Sequence, residues 1–326
     1  MSRPLEGSVL LAFAGIVLVG GLNGVAIKFS NAELEPFWGA GLRFGLAALL
    51  LFAVVALRRL ALPRGQALIG STLYGILSFG VSYALAYWAL LEVPAGLAMV
   101  ILALVPLLTL LLAVVHGLER FRFQSAVGAL VAVGGIAFIA ADRLGSAAPA
   151  AVPAMLAVIG AAVAIAYTNI VVKRFPRPHP VANNAIAMAI GAGMLLALSL
   201  GIGEQQAVPG EFATIAAVGY LVVIGSVTLF MLFLFVIERW TASATSYTLL
   251  LMPLVTATAA FILLDEAITP ALLVGSVFVL GGVYVGAFAP SLSVPLPGLQ
   301  RRPAVAAAEL ADDSAGPPEL ISPGCP

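Results

Sequence analysis

The chain has almost no cysteine, little histidine and very little charge. Its one cysteine, Cys325, stands next to the C-terminal end, which excludes an intrachain disulfide and a cysteine metal site. Two histidines, His116 and His179, are too few for a histidine-rich metal cluster. Charged residues make up 9% of the sequence, where a soluble domain carries roughly 25%. The 15 basic and 15 acidic residues cancel, so there is no basic excess to neutralise phosphates, and nucleic acid is not an expected partner. A phosphate-binding Gly-rich loop ending in Lys is missing, which argues against direct drive by ATP. No Ser/His pair or pair of intramembrane Asp is apparent, so the chain does not read as an enzyme and no catalytic residue, metal or cofactor is expected.

What the chain has in abundance is apolar sequence. Hydrophobic residues reach 62% and the mean hydropathy is +1.13, more than a soluble core of this size can hide from water. A spanning helix needs about 20 mostly apolar residues. Cutting at charges and Pro/Gly clusters predicts ten such helices, at 9–28, 37–57, 66–90, 94–115, 123–141, 152–173, 181–202, 212–237, 241–263 and 270–289. The first reads as an uncleaved span, because no small-residue cleavage site follows it. Residues 290–326 are crowded with proline and polar residues and read as a disordered tail. With the N-terminus in the cytoplasm, twelve of the fifteen basic residues fall on the cytoplasmic side, leaving only Lys28, Arg43 and Arg143 elsewhere. The positive-inside rule therefore predicts both termini in the cytoplasm of an inner (plasma) membrane protein.

The sequence also repeats. A shift of 147 residues aligns 95–140 with 242–287 without a gap and pairs Pro106 with Pro253, Thr109 with Thr256, Glu119 with Glu266, Gly128 with Gly275 and Gly135 with Gly282. At an offset of 146, Asn23 meets Asn169 and Phe29 meets Phe175. The expected organisation is a first unit at 1–145, a second at 146–289 and the tail at 290–326. Each unit holds an odd number of helices, so the second must enter the membrane from the opposite side. The expected fold class is thus an all-α integral membrane protein of ten transmembrane helices in two inverted five-helix repeats, an architecture common among secondary transporters.

The run from Ala95 through Pro106 to Thr109, the Gly117-Leu-Glu119-Arg120 that follows, the second copy from Ala242 to Glu266, the opening Gly20-Gly-Leu-Asn23-Gly-Val-Ala-Ile-Lys28 and the Arg43-Phe44 pair resemble the EamA-type branch of the drug/metabolite transporter superfamily. The resemblance spans roughly residues 9–289. It implies a ten-helix bundle that moves small organic solutes, often exporting amino acids or related metabolites. The chain departs from the family's Gly-Glu-Arg run at Leu118, and its second copy reads Leu264-Asp265-Glu266-Ala267, which leaves a basic residue after the Glu without support.

Several residues are candidates for contact with a solute. Arg43 falls inside the second helix, roughly 6 Å from its middle. It reads either as an anchor for a carboxylate or as a snorkelling or backbone-capping cation near the outer interface. Asn23 and Asn169 read as solute ligands or as amides tying helices together. Tyr83 reads as a cavity wall, while Tyr87 and Trp88 fall near the boundary where belt aromatics are the default. Ser246 and Tyr247 form the most polar stretch of the ninth helix. Pro106 and Pro253 are candidate gating hinges, each removing a helical hydrogen bond in mid-helix. Gly20/Gly24, Gly41/Gly45 and Gly282/Gly286 have the spacing of close helix packing. Glu119 and Glu266 are expected to complement the N-termini of the fifth and tenth helices. No carboxylate stands within a span, although Glu92 and Glu238 come near one, so proton coupling has no support in the sequence.

The expected function is therefore secondary transport, in the exporting direction, of small organic metabolites such as amino acids, by alternating access around a central cavity. The alternative is a membrane-embedded enzyme, or a lipid or solute channel without carrier activity. The small-molecule substrate and the lipid bilayer are the expected partners; the sequence leaves a homodimer open.

Overall fold

A computed structural model describes residues 4–116, 123–145, 151–176, 178–239 and 242–288, with the side chains of 4–6, 140, 142–145, 172, 173, 234, 237, 238, 242–247, 250, 287 and 288 outside the description. All the regular structure described is helical. Helices stand at each of the ten predicted places: α1 (Pro4–Asn31), α2 (Pro36–Leu57), α3 (Gln66–Ala89), α4 (Ala95–Val115), α5 (Phe123–Gly145), α6 (Ala151–Arg174), α7 (Pro180–Ile202), α8 (Phe212–Val222 continuing to Leu229–Arg239), α9 (Ala242–Leu263) and α10 (Pro270–Val283). Seven of them are long and apolar enough to cross a membrane, and Phe123–Ile139, Leu251–Leu263 and Pro270–Gly286 are shorter apolar helices, counted over the described residues. The many leucines and phenylalanines left exposed on the bundle, Leu11, Leu49, Leu130 and Phe278 among them, are what a lipid-facing surface requires.

Local sequence sets the boundaries. Pro36, Pro180 and Pro270 open α2, α7 and α10, where their missing N–H groups have no helical partner to lose. Thr269 caps α10 by accepting from the Leu272 N–H at 3.1 Å. Gly203 ends α7 in the left-handed conformation at φ 78°.

The helices pack as pairs: α2 on α7, α5 on α10, α1 on α9 and α8, and α6 on α3 and α4. Small residues let several of these pairs approach closely, as the spacing predicted. A methyl group at Gly135 on α5 would lie 2.7 Å from the Gly275 carbonyl of α10, and one at Gly282 would lie 2.7 Å from the Ala132 nitrogen. Gly20 and Gly41 are likewise filled against Met252 and Leu196.

Three helices contain π turns: Gly75–Val81 in α3, Val223–Thr228 in α8 and Tyr284–Phe288 after α10. The first two begin 148 residues apart, close to the offset of the sequence repeat. The two repeat-related prolines differ. At Pro106 α4 is interrupted after Leu102 and resumes at Val105, so the proline sits in a first turn, where it breaks no bond. Around Pro253 α9 runs on without interruption.

Glu266 departs from its expected place. It does not serve the N-terminus of α10, which Thr269 already caps. Its two carboxylate oxygens accept from the Ala95 N–H of α4 at 3.1 and 2.9 Å, and Oε1 pairs with Lys28 of α1 at 3.2 Å. Glu119, its repeat partner, and the tail at 290–326 lie outside the described residues.

Packing at the α5–α10 contact yields a direct test. Replacing Gly135 by Val is expected to destabilise the protein by about 1–3 kcal/mol, because the added carbons meet backbone that cannot move aside. A thermal unfolding series in detergent checks this, with the open position Gly134→Val as the comparison expected to stay near wild type.

Candidate functional site

Arg43 lies on α2, two turns in from Pro36, and is fully buried (0% exposed). A guanidinium in such a place costs several kcal/mol unless polar groups or water surround it. The structure surrounds it from the other half of the chain. Nε donates to Ser226 Oγ at 2.9 Å and Nη2 donates to the Gly225 carbonyl at 2.9 Å. Nη1 reaches the Tyr87 hydroxyl at 3.4 Å. The guanidinium carbon stands 4.9 Å from the Phe44 ring centroid and 5.1 Å from that of Tyr83, distances at which a ring face attracts a cation. Among the described residues no carboxylate pairs with it.

Gly225 and Ser226 belong to the π turn of α8, a widening often found at functional sites. Glycine is required at 225 by close approach: a Cβ there would overlap Asn23 Oδ1. Asn23, on α1, donates through Nδ2 to the same Gly225 carbonyl at 3.1 Å, so one carbonyl ties α1 and α2 to α8. The Asn23 Oδ1 is buried with no hydrogen-bond partner. Around this group stands a set of rings. Tyr83 meets Phe44 edge-on at 4.6 Å and stacks over Phe79 at 6.3 Å, and Phe79 meets Phe230 at 5.0 Å.

Of the residues singled out from sequence, the structure brings Asn23, Arg43 and Tyr83 together. Arg43 is buried rather than snorkelling, and its bond to the Gly225 carbonyl fits the backbone-capping alternative as well as it fits a site. Asn169 goes elsewhere: its Nδ2 donates to Thr109 Oγ1 at 3.1 Å, fastening α6 to α4. The repeat-equivalent Thr256 donates to the Gly21 carbonyl at 2.6 Å, fastening α9 to α1. Ser246 and Tyr247 lie outside the described side chains. His116 and His179 are engaged with their own helices, through the Leu112 carbonyl and the Val181 N–H.

Tyr87, expected at the membrane boundary, is fully buried, because its hydroxyl turns in to Arg43 and its carbonyl accepts from Asn31 Nδ2 at 3.0 Å. Trp88 does face outward. Sequence reasoning missed Tyr87, Gly225, Ser226 and Phe79. The one available signal was a small polar pair, Gly225-Ser226, inside an otherwise apolar helix. A separate cavity of about 590 Å³ opens at the end of α2, α3 and α7, between Glu35, Phe37, Leu85, Trp88, Leu198 and Glu204, and Arg43 does not line it.

The arrangement makes Ser226→Ala informative. It leaves Arg43 Nε buried without its acceptor, which is expected to cost about 1–3 kcal/mol of stability in a thermal or denaturant series, with Ser226→Thr retaining most of it.

Comparison with known proteins places the chain. The model of the EamA-like transporter family matches it twice, at residues 7–141 and 152–287. It is 28% identical over 246 residues to the uncharacterized inner membrane transporter YedA of Escherichia coli strain K12, covering 75% of this chain and 78% of that protein. It is 25% identical over 284 residues to a probable amino-acid metabolite efflux pump of the same strain, covering 84% and 92%. It is 28% identical over 221 residues to a probable terminal-alkyne amino-acid exporter of Streptantibioticus cattleyicolor, covering 68% and 73%. A solved crystal structure shares the fold with a TM-score of 0.61 at 20% identity, covering 86% of this chain and 97% of the other. With a family model matching both halves, and apolar helices long enough to cross a bilayer in each of them, the chain belongs to the EamA-like transporter family and is a multi-pass membrane protein.

Proposed function

We propose that the protein is a secondary transporter that exports small organic metabolites, amino acids among them, by alternating access between two inverted five-helix halves. The observation that carries this reading is Arg43: a buried cation at the seam between the halves, paired with a carbonyl and a hydroxyl and with no carboxylate among the described residues. A solute carboxylate is the partner such a guanidinium fits best, through charge-assisted hydrogen bonds. The rings of Tyr83, Phe44 and Phe79 would wall the apolar part of the solute. Opening the seam would free Arg43 from Gly225 and Ser226 for that exchange.

The helix pairings support two related halves. Exchanging α1 with α6, α2 with α7, α3 with α8, α4 with α9 and α5 with α10 carries the α1–α9 contact onto α6–α4 and the α1–α8 contact onto α6–α3, and returns α2–α7 and α5–α10 to themselves. The Asn169–Thr109 and Thr256–Gly21 bonds sit on the exchanged pairs. In this reading all ten helices span an inner membrane with both termini in the cytoplasm, and the interruption at Pro106 is where α4 flexes. The family and the names of its relatives point to transport rather than to catalysis.

Counterflow uptake into proteoliposomes, with a panel of labelled amino acids, nucleobases and small organic cations, tests the proposal. Uptake of acids or zwitterions above empty liposomes is expected. Arg43→Gln is expected to raise the half-saturation concentration about tenfold to a hundredfold, the worth of a charged hydrogen bond, while the protein stays monodisperse. Unchanged half-saturation in that variant would remove Arg43 from the site.

A further inference from the structure

The seam has a second feature, at the end of the bundle where α1 stops and α2 begins. Three glutamates in connecting segments there each reach across from one half of the chain to the start of a helix in the other. Glu33, after α1, accepts from the Gly210 and Glu211 N–H groups at 2.6 and 3.1 Å, at the start of α8. Glu204, after α7, accepts from the Phe37 and Trp38 N–H groups at 3.1 and 2.8 Å, in the first turn of α2. Glu266, after α9, accepts from the Ala95 N–H at the start of α4 and pairs with Lys28 at the end of α1. The Trp38 indole N–H donates to the Ala207 carbonyl at 2.7 Å, adding a fourth tie between the same segments.

Each of these is a carboxylate on the open N–H groups of a helix start, where charge and helix dipole act together. None holds a helix of its own half, so they do not act as ordinary caps within a repeat. All three have the geometry of bonds that must break before the halves can part at this end. Ser30, in the last turn of α1 and three residues before Glu33, is fully buried, with an Oγ that has no hydrogen-bond partner.

We propose that Glu33, Glu204 and Glu266 form a latch that holds this end of the transport pathway shut, and that the latch opens and closes once in each cycle. The proposal rests on the alternating-access reading. Its chemistry is reversible without any co-reactant: on opening, each carboxylate and each helix start exchanges its partner for water. Glu33 is ionised at neutral pH, because the Gly210 and Glu211 N–H groups hold its carboxyl below the ordinary value of 4.5.

The test is thiol accessibility in detergent, where sidedness does not enter. Cys325 is replaced by Ser, and Ser30→Cys is the reporter, since the Ser30 hydroxyl makes no bond that the change would lose. With the glutamates intact, a polar maleimide is expected to label the reporter slowly. Glu33→Gln, Glu204→Gln and Glu266→Gln should each speed labelling about fivefold, and the triple variant on the order of a hundredfold, as a charged hydrogen bond becomes a neutral one at each site. Glu33→Gln alone, in a solvent-exposed connection, guards against misreading a folding defect, and each variant is read only from its monodisperse fraction. Equal labelling in the intact and triple-variant proteins, or fast labelling with the glutamates intact, would overturn the latch. Protection that depends on the glutamates, together with no counterflow of any solute class, would leave the latch standing and remove the transport reading.

Discussion

A guanidinium buried among apolar helices has to be given partners, and most of what surrounds Arg43 follows from that requirement. α2 carries the cation inward, and among the described residues of the first half no side chain offers it a charge. The partners come from a turn of α8 some 180 residues later, where Ser226 and the Gly225 carbonyl stand in a π turn. Gly225 must lack a side chain, because Asn23 occupies the place where one would go and shares the same carbonyl. Tyr87 turns its hydroxyl inward, and Phe44 and Tyr83 offer their rings. The cation thereby becomes one of the points where the two halves of the chain are tied together. Such an arrangement satisfies the guanidinium with neutral partners, which is what lets the proposed solute carboxylate compete for it.

The same seam is fastened differently at one end, where carboxylates sit on helix starts. The carboxylates of those bonds lie in the connecting segments between helices. The interior and the end of the seam are therefore built from different chemistry. Carbonyl, hydroxyl and ring faces hold the middle, and charge on backbone N–H groups holds the end. Between α5 and α10, by contrast, glycine on glycine brings backbone onto backbone.

The helices were legible in the sequence because a bilayer demands long apolar runs and because Pro36, Pro180, Pro270 and Gly203 mark their ends. The constant offset of Pro106, Thr109 and Gly135 from their partners led to the expectation of two units. Arg43, Asn23 and Tyr83 stood out as polar or aromatic residues inside apolar runs, and they do come together. What the sequence did not disclose was partnership across the halves. Nothing near Glu266 points to Ala95, 171 residues away, and its position just before α10 suggested the wrong helix. Tyr87 looked like a boundary aromatic because Glu92 and Pro94 follow so closely, and only the fold shows its hydroxyl facing Arg43. Asn169, chosen for its symmetry with Asn23, is taken up by Thr109. The break at Pro106 and the unbroken helix at Pro253 show that equal sequence in two halves does not fix equal conformation.

The central claim is that two halves meeting at Arg43 move against each other when solute is carried. Spin labels at Ala32 and Gln206, exposed positions on opposite halves at the latched end, in a Cys325→Ser background, report this directly by pulsed electron resonance. The account predicts two distance populations whose ratio shifts when a transported solute is added, with the longer one enriched by Glu204→Gln. A single distance, unchanged by solute and by that substitution, would contradict it.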